Sequence, residues 1–131
     1  MLDKKKFYIN GEWVNPHKEN NCEVIDPCNE DPFAVISLGS KVDTDLAVKA
    51  AKTAFKTWKE TSKEERINYL EKLLTIYKKR FREMSEAISL EMGAPKDWST
   101  EAQTASGQTH LEDFILRLKN FKFDKHFDEK S

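Results

Sequence analysis

The sequence predicts an α+β fold, in which an N-terminal β-hairpin and short strands precede three helices. Up to Gly39, aromatic or aliphatic side chains alternate with polar ones in short runs that end at Gly, Pro or Asn, a pattern typical of strands and turns. From Asp43 onward, apolar residues recur every three or four positions, which is the period of an amphipathic helix. The 131 residues are the size of one small domain.

The composition excludes several classes of protein. The chain has 22 basic and 23 acidic side chains and a net charge of −1, so no electrostatic attraction to nucleic acid or to an anionic membrane is expected. No apolar run approaches the roughly 18 residues of a membrane span, and the charged N-terminus does not resemble a signal peptide. Two cysteines give no disulfide framework. We therefore expect a cytoplasmic protein with reduced thiols.

Residues 7–14 carry the clearest strand signal. Asn10 and Gly11 lie between two alternating runs, and an Asn-Gly pair in this position predicts a β-hairpin because both central residues of a type I′ turn need positive φ. Further strands are predicted at Glu23–Asp26 and Phe33–Leu38, each followed by turn residues.

The first helix is predicted to begin at Asp43 or Thr44, because either side chain can accept a hydrogen bond from a backbone N–H of the first turn. One face of this helix carries apolar residues at i, i+4 spacing, namely Leu46, Ala50, Ala54 and Trp58.

The second helix is predicted to run unbroken from Ser62 to Gly93, about 45 Å for roughly 30 residues at 1.5 Å per residue. Ser62 and Glu65 have the spacing of a capping box, and Gly93 suits a left-handed C-cap. The apolar stripe of this helix consists of Ile67, Leu70, Leu74, Tyr77, Phe81, Met84 and Ile88. Such a stripe suits either a coiled-coil seam or the core face of a domain.

Pro95 is predicted to be the first residue of a third helix, where its missing N–H costs nothing. Apolar residues continue along this helix from Trp98 to Leu118. Gly107 weakens a helix by about 1 kcal/mol relative to Ala, so a close crossing by another element is expected there. Residues 120–131 are expected to form a frayed tail, with the start of an unpaired strand as the alternative.

Three segments resemble the opening part of the NAD(P)-dependent aldehyde dehydrogenase family. They are FYINGEWV at 7–14, VIDP at 24–27 and LEMGAP at 90–95, and they stand in the family's order and spacing. The resemblance covers the chain to about Lys119 and implies the N-terminal part of the family's α/β cofactor-binding domain. Residues 1–131 are accordingly expected to form a single incomplete domain, and the apolar stripe of the second helix to face its core.

The resemblance implies an oxidoreductase that converts an aldehyde to a carboxylic acid with NAD or NADP. In this family a Cys thiolate attacks the carbonyl carbon, and a Glu-activated water releases the acid. The resemblance places that Cys, that Glu, the PWN(F/W)P segment and the glycine-containing cofactor loop beyond Ser131. We expect an N-terminal fragment with no catalytic or cofactor-binding residue, inactive by itself and needing no cofactor by itself. The alternative is a free-standing helical interaction protein that has lost catalysis.

Glu91 and Val24 are the two residues to which the resemblance gives a site. Some family members hold a monovalent cation between an acidic side chain at the position of Glu91, main-chain carbonyls near Val24 and Ile25, and a downstream residue. Two of these contributors match the present sequence. A solvated Glu just before a helix C-cap is the alternative.

Cys22 and Cys28 are expected to be ordinary free thiols near strand ends. A zinc site needs more ligands in a compact cluster, and His17 is the one His near them in the sequence. A nucleophilic thiol needs a base and an oxyanion hole.

The other histidines, His110 and His126, are also expected to have no catalytic role. His110 stands close to Glu112 and Asp113 in the sequence, but Glu112, two positions away, does not share its helix face, so an acid–base pair with Glu112 is not expected.

The helices offer more apolar surface than a small hairpin can cover. The residues concerned are Leu70, Leu74, Tyr77 and Phe81 in the second helix and Leu111, Ile115 and Leu118 in the third. Large exposed apolar patches bind a partner or aggregate. We therefore expect the chain to self-associate or to bind the remaining aldehyde dehydrogenase polypeptide.

Overall fold

The N-terminal third contains a hairpin and a separate three-stranded sheet in the computed structural model, which describes residues 1–124. Strands β2 (Phe7–Ile9) and β3 (Glu12–Val14) pair antiparallel. Asn10 and Gly11 between them have φ values of 54° and 84°. Both values are positive, as a type I′ turn requires, and the hairpin prediction is confirmed.

The three-stranded sheet contains β1 (Leu2–Lys4), β4 (Asn21–Ile25) and β5 (Pro32–Ser37), in the order β1-β5-β4. β4 runs antiparallel to β5, which confirms both predicted strands with ends shifted by one or two residues. β1 pairs parallel with β5 and was not predicted. Its three residues are all exposed, so the sequence shows no alternation of apolar and polar residues that would predict a strand there. The segment is extended because it pairs with the distant strand β5.

Helix α1 spans Lys41–Trp58, and the prediction that Asp43 or Thr44 caps it is wrong. The N-cap is Ser40, and Asp43 is the third helical residue of a capping box. The Asp43 carboxylate accepts hydrogen bonds from the backbone N–H of Ser40 and from that of His17, each at 2.8 Å. The second bond comes from a distant part of the chain, so tertiary structure reinforces the earlier helix start.

The predicted unbroken second helix is wrong, because the chain forms two helices, α2 (Lys63–Lys79) and α3 (Phe81–Met92). Arg80 between them has a φ of −102° and a ψ of 16°, outside the helical range. Neither Gly nor Pro stands there. The Tyr77 hydroxyl on α2 donates to the carbonyl of Thr104, and the Ser85 hydroxyl on α3 bonds to the hydroxyl of Ser99. Both partners belong to residues 99–104, and the break at Arg80 lets both helices reach this segment.

The break also changes which residues of the stripe are buried. Ile67 on α2 is buried, whereas Met84 on α3 is 43% exposed and Ser85 beside it is 5% exposed. The predicted caps are confirmed at both ends: Ser62 and Glu65 form the capping box, and Gly93 is left-handed with φ 68°.

The predicted third helix begins one residue late and contains a π-helical turn. Pro95 has an extended ψ of 137° and precedes the helix, which corrects its predicted place as the first helical residue. A short α4 (Lys96–Trp98) continues through π-helical residues Ser99–Thr104 into α5 (Ala105–Asn120). At Gly107 the space for a Cβ is taken by the hydroxyl of Tyr77, which confirms the predicted close crossing.

Little apolar surface is enclosed by these elements. Among the described residues the buried hydrophobic ones are Ala34, Ile67 and Ile115. On the predicted apolar face of α1, Leu46 and Trp58 are 52% and 44% exposed. The fold is the predicted mixture of N-terminal strands followed by helices. Residues 125–131, including His126 and most of the predicted tail, lie outside the described residues.

No helix within residues 1–124 is both long enough and apolar enough to cross a membrane.

Candidate functional site

The end of α3 meets the turn after β4, and this brings the neighbourhoods of Glu91 and Val24 together. Glu91 lies exposed in the last turn of α3, and Val24 is half-buried in β4. A Cβ on Gly93, two residues after Glu91, would lie 3.1 Å from the Cβ of Pro27, three residues after Val24. Glu91 and Val24, the two cation-site residues implied by the resemblance, therefore belong to segments that are in contact.

The strand pairing is irregular at this junction. The register shifts between Val24 and Ile25, and Ile25 stands opposite Pro32. Pro32 has no N–H and cannot donate to the ladder. Hard cations are bound by carbonyl and carboxylate oxygens. The Glu91 carboxylate and the main-chain carbonyls near Val24 are ligands of this type. Occupancy by a monovalent cation stays a prediction.

The cysteines belong to different surroundings. Cys22 is half-buried in β4, and its thiol donates to the carbonyl of Glu23 at 3.5 Å. Cys28 is exposed in the turn after β4, where its backbone N–H donates to Asp26 at 2.8 Å. Among residues 1–124 no three His, Cys, Asp or Glu side chains are grouped so that they could hold a metal ion.

His110 stands in α5 beside carboxylates that are engaged by other residues. Glu112 forms an ion pair with Lys78 at 2.7 Å, and Asp113 one with Arg117 at 2.6 Å. The pKa of Glu112 is lowered chiefly by the hydrogen bond from Lys78. The first pair joins α5 to α2, and the second lies within α5.

Asp43 is the most perturbed carboxylate of the described residues, and its role is structural. Its pKa falls from 3.8 to about 2, chiefly because the Ser40 hydroxyl bonds the carboxylate, and further because the N–H groups of His17 and Ser40 donate to it. Both oxygens are thus occupied, at 2.6–2.8 Å. The carboxylate anchors the loop before α1 to the chain that follows the hairpin.

A cluster of buried hydroxyls surrounds the π-helical turn and was missed by the sequence analysis. Ser99 and Thr104 are fully buried. The Ser85 hydroxyl lies 2.9 Å from that of Ser99 and 2.6 Å from that of Thr100, and the Tyr77 hydroxyl donates to the Thr104 carbonyl at 2.9 Å. The polar run at 99–104 was the available signal, since hydroxyls in a helix compete for backbone carbonyls.

An aromatic groove of about 520 Å³ lies between α2 and α5. Its apolar lining includes Trp58, Tyr69, Leu70, Phe114, Phe121 and Phe123. The residues that the sequence analysis expected to stay uncovered are not exposed: Ile115 is buried, and Leu70, Leu74, Tyr77, Phe81, Leu111 and Leu118 are half-buried. The exposed apolar side chains of α2 and α5 instead include Leu73, Ile76, Phe114 and Leu116, and the convergence of the aromatic residues was not foreseen.

The strand–helix order and the three quoted segments correspond to a known family. The sequence profile described as "Aldehyde dehydrogenase family" matches residues 13–126. The chain belongs to the aldehyde dehydrogenase family. Among curated relatives, 3-succinoylsemialdehyde-pyridine dehydrogenase of a Pseudomonas species is 36% identical over 126 residues, covering 95% of this chain and 26% of that protein.

Crystal structures of aldehyde dehydrogenases carry the same arrangement. The enzyme from Bartonella henselae is 50% identical with a TM-score of 0.97, over all of this chain and 28% of that one. Aldehyde dehydrogenase C from Pseudomonas syringae, as a mutant in complex with NAD+ and octanal, is 32% identical with a TM-score of 0.92, over 95% of this chain and 26% of that one. The fold is thus that of the N-terminal part of an aldehyde dehydrogenase.

The present aldehyde dehydrogenase chain spans about a quarter of the length of these relatives. Gly93 packs against Pro27, so the segment that contains Glu91 lies beside the turn after β4. Cys22 belongs to β4, Cys28 to that turn and His110 to α5.

Proposed function

We propose that this chain is the N-terminal segment of the cofactor-binding domain of an NAD(P)-dependent aldehyde dehydrogenase and that residues 1–131 alone do not oxidise aldehydes. The observation that carries the proposal is the match to relatives over about 26% of their length. The fold is similar to that of the Bartonella henselae enzyme, with a TM-score of 0.97. It would act as a structural part of a larger catalytic unit in the cytoplasm.

The chemistry of the family supports the expected inactivity of 1–131. Aldehyde oxidation needs an activated thiolate, donors for the oxyanion and a base for the deacylating water. Cys22 donates its thiol to a backbone carbonyl, and Cys28 is exposed beside the C-cap of α3. Within residues 1–124, neither thiol is hydrogen-bonded to a side chain that could act as its base. In the whole enzyme NAD or NADP would supply the hydride acceptor, and no residue of 1–131 is assigned to it.

The exposed apolar faces support a partner that carries the rest of the fold. Leu46, Phe55, Leu73, Ile76 and Phe114 are between 47% and 62% exposed. Burial of such a side chain stabilises by about 1.5–3 kcal/mol, so covering several of them gives a strong drive to associate. The proposed partner is the remaining three quarters of an aldehyde dehydrogenase polypeptide.

An assay of purified 1–131 with straight-chain and aromatic aldehydes and either nicotinamide cofactor tests the proposal. We expect no reduced nicotinamide above background, and the same result for Cys22→Ser and Cys28→Ser. Activity that either substitution abolishes would overturn the proposal.

A complementation assay tests whether the chain associates with the rest of an aldehyde dehydrogenase. The chain is mixed with the Bartonella henselae enzyme lacking its matching N-terminal 28%, and that enzyme's own N-terminal segment serves as the positive control. We expect activity in both mixtures. Restoration by the control segment alone would contradict the proposal and would favour a free-standing interaction protein.

A further inference from the structure

The turn of the N-terminal hairpin contains a residue pair that is chemically labile when it is exposed. Asn10 is followed by Gly11, and this is the one Asn-Gly pair in the sequence. The two residues connect β2 to β3, and both are exposed. The main-chain nitrogen of the residue after an Asn can attack the side-chain amide carbon of that Asn. Because Gly has no Cβ, this approach is open at Asn10.

The attacking nitrogen of Gly11 is not used by the strand pairing. Ile9 stands opposite Glu12 across the two-residue loop. In such a turn the hydrogen bond runs from the N–H of the last residue to the carbonyl of the first, so the N–H of Gly11 takes no part in it. A Cβ built on Gly11 would meet no atom within 4 Å. The surroundings therefore leave room for the reacting groups.

The other asparagines differ from Asn10 in the residue that follows them. Asn15 precedes Pro16, which has no N–H to lose. Asn29 precedes a Glu, and its side chain also accepts a hydrogen bond from the N–H of Asp31 at 3.0 Å. The least hindered approach is therefore at Asn10. The remaining asparagines each precede a residue that has a side chain: Asn20, Asn21, Asn68 and Asn120.

We propose that Asn10 is a site of spontaneous deamidation, which converts it to a mixture of aspartate and isoaspartate. In the first step the nitrogen of Gly11 gives up its proton and bonds to Cγ of Asn10. The bond from Cγ to the amide nitrogen breaks, and this nitrogen leaves with the proton as ammonia. A five-membered succinimide ring remains. This modification goes beyond the proposed function, since it needs only the hairpin of this chain.

Water opens the ring in the second step. It adds to one of the two ring carbonyl carbons, the bond from that carbon to the Gly11 nitrogen breaks, and the nitrogen regains a proton. Opening at Cγ gives aspartate at position 10 with the ordinary backbone. Opening at the main-chain carbonyl carbon gives isoaspartate, whose backbone runs through the side-chain carbons.

The isoaspartate product changes the geometry of the hairpin. It adds a methylene group to the main chain of a loop whose two residues are matched to a type I′ turn. Tyr8 and Trp13 stand opposite each other next to this loop, with ring centroids 5.2 Å apart. We expect this aromatic pair to separate as the turn lengthens. Both products also add one negative charge to a chain whose net charge is −1.

The test is incubation of purified 1–131 in heavy-oxygen water at neutral and at mildly alkaline pH. Peptide mass spectrometry then locates each Asn that has become an acid carrying the heavy oxygen. We expect Asn10 to react about tenfold faster than Asn29, which corresponds to about 1.4 kcal/mol of activation free energy, and Asn15 to stay intact. The rate at Asn10 should rise with pH, because the attacking nitrogen must lose its proton. Fragmentation should identify isoaspartate, which direct hydrolysis of the amide does not form.

Asn10→Gly is the matched control, because a Gly-Gly pair also suits a type I′ turn and carries no amide. Isoelectric focusing and near-ultraviolet circular dichroism compare fresh and incubated protein. We expect an acidic shift and a loss of aromatic signal in the unsubstituted chain, and neither change in the variant.

Three results would overturn the proposal: no reaction at Asn10 during the incubation, equal rates at Asn10 and Asn29, or aspartate without isoaspartate. A loss of aromatic signal that Asn10→Gly does not prevent would overturn the proposed effect on the hairpin. None of these readouts depends on aldehyde oxidation, so failure here is distinguishable from failure of the proposed function.

Discussion

At the scale of single residues, Asp43 shows how one carboxylate is given a different role by distant contacts. Its sequence position suited an N-cap, but the structure places it at the third helical position, bonded to Ser40 and His17. The capping box is a local pattern that the sequence contains at Ser40 and Asp43. The bond from His17 spans 26 positions and is not visible in the sequence.

Asp43→Asn should lower the melting temperature above pH 4 and have less effect toward pH 2. The folded pKa of about 2 lies below the ordinary 3.8, so the ionised form stabilises the fold above 3.8, and this contribution is lost as the pH falls through the folded pKa. Thermal melts of both proteins from pH 7 to pH 2 measure the difference. A difference that stays constant across this range would contradict the assignment.

Gly107 shows why one position in a helix lacks a side chain. The Tyr77 hydroxyl fills the space of its Cβ and donates to the Thr104 carbonyl at 2.9 Å. Gly107→Ala should therefore displace Tyr77 and break that bond. The cost of about 1–3 kcal/mol for an unsatisfied buried carbonyl exceeds the gain of about 1 kcal/mol in helix propensity.

Thermal melts of Gly107→Ala, Tyr77→Phe and the double variant check this prediction. The double variant should lose less than the two single losses together, because the hydroxyl that collides is gone. Gly39→Ala is the control, since a Cβ there would meet Phe7 at an ordinary 3.7 Å. Additive losses in the double variant would show that Tyr77 is not what excludes a side chain at Gly107.

At the scale of elements, α1 and α2 both begin with a capping box. Ser62 accepts from the N–H of Glu65 at 3.1 Å, while Glu65 accepts from the N–H of Ser62 at 2.8 Å. Arg66 ties the same turn to the carbonyl end of α1. The junction of the two helices is therefore set by the backbone groups that each helix leaves unpaired.

Ser62→Ala should cost about 1 kcal/mol, the usual loss for an N-cap, whereas Cys28→Ser should be nearly silent because Cys28 is exposed. Chemical or thermal denaturation of both variants measures the difference. A larger loss for Cys28→Ser than for Ser62→Ala would mean that the thiol is packed more closely than its exposure indicates.

At the scale of the whole molecule, the described residues bury few large apolar side chains, which is the basis for the prediction that 1–131 is an incomplete domain. The buried hydrophobic residues among 1–124 are Ala34, Ile67 and Ile115, whereas each fully buried large side chain contributes about 1.5–3 kcal/mol toward a typical total of about 5–15 kcal/mol. About three quarters of the length of the Pseudomonas relative lies outside the part that this chain matches.

Purified 1–131 should self-associate, and the proposed complementing polypeptide should disperse it. Sedimentation velocity over a range of concentrations measures the first effect, and the same experiment with the truncated Bartonella henselae enzyme measures the second. The matched control is 1–131 with an unrelated protein of equal size. A monodisperse monomer with a sharp melt at every concentration would contradict this prediction and indicate an autonomous domain.

The sequence by itself determined the elements whose causes are local. The Asn10-Gly11 turn, the capping box at Ser62 and the left-handed Gly93 follow from backbone preferences of a few neighbouring residues, and all three are confirmed. The family also followed from short segments, because their order and spacing are specific. Among the site residues, Glu91 and Val24 came from that resemblance.

Tertiary structure alone decided the features that depend on distant partners. β1 is extended because it pairs with β5, and the helix breaks at Arg80 where Tyr77 and Ser85 both reach the π-helical turn. The aromatic groove arises because α2 and α5 lie side by side, which their separate periodicities do not specify. Local preferences amount to about 1 kcal/mol per residue or less, so contacts between segments far apart in the sequence override them.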